Sequence, residues 1–207
     1  MTWKEFISSK QKRFELISTL ILLSVVLFSL TRFLIFIESR NGFSFEDPLL
    51  KLFEPIDLTW LTFTLIYGSI ITAIFYLISK PEKLLFTIQF YTLMVVVRII
   101  AMWLLPLNPP EKMIILVDPF VEFFGTGKTL TKDLFFSGHT ATLFILFLTT
   151  DSKYLKLFFL ICTIGVAISV LLQHVHYSID VFAAVVITYA CYSILKLKTT
   201  RISNGKY

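Results

Sequence analysis

Apolar residues run in long blocks along this chain, and the polar residues gather between them. Six blocks stand out, at residues 16–37, 58–78, 84–107, 134–150, 155–172 and 177–195. Each approaches the ~20 residues that an α-helix needs to cross a hydrocarbon core. The runs are too long for barrel strands, and helices satisfy their own backbone groups where lipid cannot. The pattern therefore predicts an all-α fold, a polytopic membrane protein built as one six-helix transmembrane bundle over residues 1–207, with no second domain. The fourth block is the shortest.

Composition agrees with that pattern. Hydrophobic residues make up 56% of the 207-residue chain and charged residues 16%, where soluble domains are usually about a quarter charged. Basic residues fall unevenly between the two sets of helix ends. Lys4, Lys10, Lys12, Arg13, Lys80, Lys83, Lys153, Lys156, Lys196, Lys198, Arg201 and Lys206 lie on one side, and Arg40, Lys51, Lys112, Lys128 and Lys132 on the other. The excess predicts cytosolic termini and accounts for the net charge of +5. Nucleic acid is not an expected partner, because no basic patch is interleaved with aromatic residues. The first apolar run is too long for a cleaved signal and reads as an uncleaved helix. Cys162 and Cys191 read as packing residues.

The links at 79–83 and 151–154 are tight, whereas 38–57 and 108–133 are long loops of the kind that carry function. Within the second, 120–124 reads as an interfacial segment. The Gly125–Thr129 stretch resembles a phosphate loop only superficially, since no strand precedes it.

The 3 histidines are the sharpest polar feature. They fall in two short stretches, Asp133-Leu-Phe-Phe-Ser137-Gly138-His139-Thr140 and His174-Val-His176-Tyr177-Ser-Ile-Asp180. A tight hairpin between the fourth and fifth helices returns both stretches to one face, the non-cytosolic one. His176 and Asp180 are four residues apart at the start of the sixth helix, a spacing that puts both on one helical face with Cβ atoms about 5–6 Å apart. A carboxylate accepting from Nδ1–H fixes the tautomer and leaves Nε2 as a nucleophile. Ser137, Gly138, His139 and Thr140 open the fourth helix, where free N–H groups and a partial positive charge suit a phosphate. Gly138 permits close approach, and His139 is placed to act as general acid. Ser137 is equally explained as an N-cap, a reading that leaves His139 unexplained. Arg98, an ionised group in the third apolar run, either contacts phosphate or pairs with a loop carboxylate. Arg32 reads as snorkelling to head groups. With no cysteine cluster, a tightly held zinc site is not expected.

These stretches resemble the type-2 phosphatidic acid phosphatase superfamily, whose motifs centre on Ser-Gly-His and on a His followed four residues later by Asp. More narrowly they resemble the sphingomyelin synthase branch, through Asp133-x-x-x-Ser137-Gly138-His139-Thr140 and His174-x-His176-Tyr177-Ser178-x-Asp180-Val181. The run from Arg98 to Pro106 and Pro109-Pro110 is similar to that branch's third-helix motif, and Pro55-Ile56-Asp57 to its first-loop motif. Thr131-Lys132 stands where eukaryotic members carry Cys-Gly. The phosphatases' Lys-rich motif and the arginine before their final His are missing here. The resemblance implies His176 as nucleophile oriented by Asp180, with His139 as acid and base. It implies substrate contacts from Arg98, Asp133, Ser137, Gly138, Thr140, His174 and Tyr177, and no metal or other cofactor. The expected activity moves phosphocholine or phosphoethanolamine from a membrane phospholipid to a ceramide-like lipid alcohol and releases diacylglycerol. Hydrolysis by a lipid phosphatase or phospholipase C is the alternative within the class, and a non-catalytic lipid-binding or lipid-moving protein the alternative outside it.

Overall fold

The computed structural model describes residues 1–117 and 130–204. The interfacial segment expected at 120–124 and the glycine-containing stretch at 125–129 lie outside the described residues. The described chain forms helices α1 (Trp3–Ser8), α2 (Lys10–Glu38), α3 (Thr59–Leu77), α4 (Pro81–Leu104), α5 (Gly138–Thr149), α6 (Lys153–Leu172) and α7 (Ser178–Asn204), with a short 3-10 turn at Leu50–Leu52. Of these, α2, α3, α4, α6 and α7 are long and apolar enough to cross a membrane. Their flanks expose large hydrophobic side chains such as Phe14, Trp60, Phe75 and Phe182. An apolar belt of that extent belongs against lipid, not water, and the chain is an integral membrane protein.

The expectation of six spanning helices meets a difference at the fourth block. Residues 134–137 are not helical, and α5 has only 12 residues. At 1.5 Å per residue it reaches about 18 Å, well short of the ~30 Å hydrocarbon core. The physical reason is that α5 sits inside protein. Thr140, Ala141 and Leu143 are fully buried, and Ile145 nearly so. Ala141 and Ile145 join one apolar cluster with Phe90, Met94 and Ala184. Leu143 and Leu146 join a second with Phe63, Phe159 and Val166. Helices α3, α4, α6 and α7 thus surround α5, and their side chains take the place of lipid around it.

Hydroxyl groups within the bundle turn back to their own helices. Thr92, Thr149, Thr163 and Ser169 donate to the carbonyls of Ile88, Ile145, Phe159 and Gly165 at 2.7–2.9 Å, which removes the cost of carrying them in an apolar interior. At Gly165, α3 and α6 approach so closely that a Cβ would stand 2.9 Å from Leu65 Cδ1, the small-residue contact common between membrane helices.

Contacts between the connections define two ends. At one, the Trp3 indole donates to the Ile78 carbonyl, the Asp151 amide donates to the Tyr76 hydroxyl, and Lys83 pairs with Asp151. At the other, Phe43 bridges to Leu107, the Ile56 amide donates to Leu172 O and the Ile114 amide to Gln173 O. The Glu38 carboxylate, at the end of α2, accepts from the Thr131 and Lys132 amides at 3.1 Å. This second, loop-bearing end holds both histidine stretches.

Candidate functional site

The site begins with the start of α5. Ser137 is its N-cap: the Oγ accepts from the Thr140 amide at 3.4 Å and lies 3.1 Å from Thr140 Oγ1. Ser137 and Thr140 are both fully buried and are committed to that cap. Gly138 and His139 follow in the first turn and are half-buried. The His139 ring stands edge-on to Phe63, centroids 6.4 Å apart.

Arg98 lies behind this turn. It is six residues from the end of α4, so its Cα is recessed by about 9 Å from that end. The guanidinium Nε donates to the Phe136 carbonyl and Nη2 to Asp133 Oδ1, both at 2.7 Å. Arg98 and Asp133, which the resemblance implies as substrate contacts, are therefore bonded to one another, the pairing with a loop carboxylate that was the alternative expected for Arg98. The pair satisfies a carbonyl of the non-helical 134–137 segment, which buried backbone requires. The same guanidinium packs on Gly138, where an added Cβ would stand 2.9 Å from Arg98 Cζ and 3.2 Å from Nη1. The glycine is there so that a cation can lie against the helix start.

His176 comes from the opposite stretch. Its Nδ1 lies 3.3 Å from Asp180 Oδ2, and both side chains are buried. The contact was expected from two positions on one helical face, and here the local structure corrects that picture. Helix α7 begins at Ser178, so His176 precedes it. Asp180 sits in the first turn and reaches back to accept from the Tyr177 amide at 3.1 Å. Such a back-reach satisfies one of the donors that every helix start leaves open. One carboxylate oxygen thus caps the helix and orients the imidazole. The other, Oδ1, is buried without a partner. The two stretches join through the backbone, where the Ser137 amide donates to the Asp180 carbonyl at 3.2 Å.

His174 and Tyr177 flank His176 and face a different space. His174 follows the C-cap of α6 with φ 56°. Its amide donates to Leu171 O and that of Val175 to Val170 O, the paired bonds that close a helix whose next residue is left-handed. Glycine usually fills that place. The Tyr177 hydroxyl donates to Asn108 O at 3.0 Å, and its ring stacks on Phe45 at 4.1 Å.

Asp47, in the first long loop, was not anticipated. It is buried, and its Oδ2 accepts from the Ser178 amide at 2.6 Å while Oδ1 accepts from Leu49 at 2.9 Å. Burial pushes its carboxyl up, but the hydrogen bonds from Ser178, Leu49 and Leu50 outweigh this and hold it below the usual range. No periodicity marks such a residue, because its partner lies 131 positions away.

A buried imidazole with an oriented Nδ1, beside a helix start backed by a guanidinium, is equipped for chemistry at a phosphate ester in a membrane. Residues 132–197 match the family model described as PAP2 superfamily C-terminal. That stretch contains both Ser137-Gly138-His139 and His176…Asp180, and the match supports the type-2 phosphatidic acid phosphatase superfamily and an enzyme acting on phosphate groups. Among curated proteins, none matches the chain.

Proposed function

We propose that this protein is a lipid phosphotransferase of the sphingomyelin synthase type, working by double displacement through phospho-His176. The observation that carries the reading is the 3.3 Å contact between His176 Nδ1 and Asp180 Oδ2, which directs the Nε2 lone pair away from the carboxylate. In the first step Nε2 attacks phosphorus, the bond from phosphorus to the diacylglycerol oxygen breaks, and His139 protonates that oxygen. In the second, His139 takes the proton of the acceptor's primary hydroxyl, the hydroxyl oxygen attacks phosphorus, and the N–P bond breaks. The α5 N-terminus and Arg98 supply positive potential to the transferred group. Both lipids enter sideways, with their tails in hydrocarbon, from the leaflet at the loop-bearing end. Cytosolic termini, which the basic residues favour, make that the outer leaflet.

The test is purified protein with head-group-labelled phospholipid, with and without ceramide. Label in a new lipid that requires ceramide is the expected result. Label only in a water-soluble head group would establish hydrolysis instead, the second reading that the phosphatase-superfamily match keeps in play. Lipid binding without turnover, unaffected by His176→Ala, would end the enzymatic reading.

A further inference from the structure

At the end of the bundle opposite the catalytic turn lies a crevice of about 890 Å³. Its floor is α4, and its walls are the first half of α2 and the last turns of α7. We infer that this crevice is a binding site for a neutral two-chain lipid alcohol, a diacylglycerol, held in the leaflet on that side. The inference stands apart from the phosphotransfer reading and does not depend on it. From Glu82 to Val96 the floor runs about 21 Å, roughly the thickness of one leaflet with its head-group region. Beyond Val96 the crevice is closed. Val26 of α2 packs in one cluster with Phe90 and Met94 of α4, and Leu34 and Ile37 pack with Met102. The space is therefore a pocket within one leaflet and not a path between two.

Mouth and floor differ in chemistry. Lys12, Glu15, Glu82 and Lys198 line the mouth. Lys12 pairs with Glu15 at 3.1 Å, and Gln11 donates to the same carboxylate at 2.9 Å. Glu82 offsets Lys198, so no net positive charge remains to hold a phosphate. Deeper in, the lining is mostly apolar, from Leu22, Leu85, Phe86, Leu93 and Ile194. Such a layering fits an acyl lipid whose head is small and uncharged.

The deciding residue is Gln89. It lies about 12 Å from the start of α4, at a depth where hydrocarbon offers an amide no partner. Its Nε2 donates to Thr19 Oγ1 at 3.2 Å, and among the described residues the side chain makes no other hydrogen bond. The amide is half-buried, lines the crevice and is open to it, not sealed behind it. Bonding α2 to α4 occupies only part of its capacity. Whichever way the amide is turned, an acceptor and an N–H remain for a ligand. The glycerol of a phospholipid offers only ester oxygens, which accept. A hydroxyl both donates and accepts, and so completes the amide. A lipid without a phosphate also sits this deep at little cost, because no charge has to be carried below the surface. Beside Gln89, Thr92 donates to its own helix at 2.8 Å. One open amide answers one hydroxyl, which fits diacylglycerol; ceramide would bring a second hydroxyl and an amide N–H to an apolar wall.

The experiment uses the full chain in phosphatidylcholine nanodiscs and a diacylglycerol with a photoreactive acyl chain. After irradiation, mass spectrometry of peptides locates the label. Label is expected at 85–96 and 194–195, saturating with dose and displaced by unlabelled diacylglycerol. The methyl ether of diacylglycerol keeps the chains and loses the O–H, and should displace about three- to tenfold less well, as the loss of one hydrogen bond predicts. A phosphatidylcholine probe with the same chain should mark these residues no more than other lipid-facing ones. Gln89→Leu should lower labelling by the same factor as the ether. Leu93→Trp leaves the Gln89–Thr19 bond in place, fills the floor, and should lower labelling further. Equal displacement by the ether, stronger displacement by ceramide, label spread evenly over the lipid-facing helices, or label unmoved by either substitution overturns the inference; the crevice then holds bulk lipid or water. The ether comparison is made on the wild-type chain, so the test stands if a variant fails to fold. Neither result bears on phosphotransfer, which turnover alone decides.

Discussion

The Asp47 carboxylate caps α7 from another part of the chain, accepting from the Ser178 amide at 2.6 Å. Asp180 caps the same helix from within, by accepting from Tyr177. Between them these two acids satisfy consecutive amides at the helix start, and one of them also touches His176. The position of the imidazole is thus tied to the first long loop, far away in sequence.

Asp47→Ala should consequently weaken both the fold and the reaction. It leaves two backbone donors without their acceptor, which costs about 1–3 kcal/mol. Thermal melting in detergent reads that loss. Turnover should fall more than KM rises, since the disturbed element carries Asp180. Asp47→Asn keeps an acceptor and should sit between the variant and wild type. Unchanged melting in Asp47→Ala would mean the loop does not brace α7.

Asp180→Asn separates orientation from bulk. The amide can donate as well as accept, so it no longer enforces the Nδ1–H tautomer. In a serine protease the corresponding exchange lowers kcat by about 10⁴. A loss of about 10²–10⁴ in kcat is expected here with little change in melting temperature, and His176→Ala should abolish turnover altogether. Equal activity of Asp180→Asn and wild type would show that the contact has no catalytic role.

Gly138 and Arg98 make a steric prediction. A Cβ at Gly138 would stand 2.9 Å from Arg98 Cζ, so Gly138→Ala must displace a guanidinium held by Phe136 O and Asp133. A destabilisation of about 1–3 kcal/mol is expected, although alanine is the better helix former. Arg98→Lys keeps the charge and loses the fork that serves both partners; it should destabilise to a similar degree and fail to restore activity. A neutral Gly138→Ala would mean that the guanidinium yields freely.

These contacts show which parts of the structure the sequence made legible. The apolar runs located α3, α4 and α6 to within a few residues, because a lipid-facing helix advertises itself by continuous hydrophobicity. The four-residue spacing of His176 and Asp180 located their contact, though not its cause, since a capping turn and a helical face produce similar separations. The Ser137-Gly138-His139-Thr140 stretch marks the start of α5, whereas the apolar block runs on ahead of it to Leu134. Hydrophobicity alone does not distinguish Leu134 and Phe136, buried in a non-helical segment, from helical residues. Arg98 with Asp133, and Asp47 with Ser178, are joined across 35 and 131 positions. Only the assembled bundle creates those pairs, and no local pattern encodes them.

His174 provides a prediction in pH. Burial lowers its pKa from the ordinary 6.5, and Lys112 lowers it further, against the opposing pull of Glu54, the Phe53 carbonyl and Asp47. In the unfolded chain the ring takes up a proton as pH falls through about 6.5; in the folded chain it does so only at lower pH. The unfolded state therefore binds more protons across that window, and stability drops on acidification. Above 6.5 both states are neutral and the group contributes nothing to the pH dependence. His174→Gly deletes this contribution and also relieves a left-handed backbone that costs a non-glycine residue roughly 1 kcal/mol. At pH 7.5 the variant should melt at or above the wild-type temperature. Between pH 7.5 and 5.5 it should lose less than wild type, because the other histidines are common to both proteins. Parallel losses in the two proteins would show that His174 is protonated as easily in the folded chain as in the unfolded one, and a lower melting point at pH 7.5 would show that the ring's packing against Phe53, 5.3 Å between centroids, outweighs the strain.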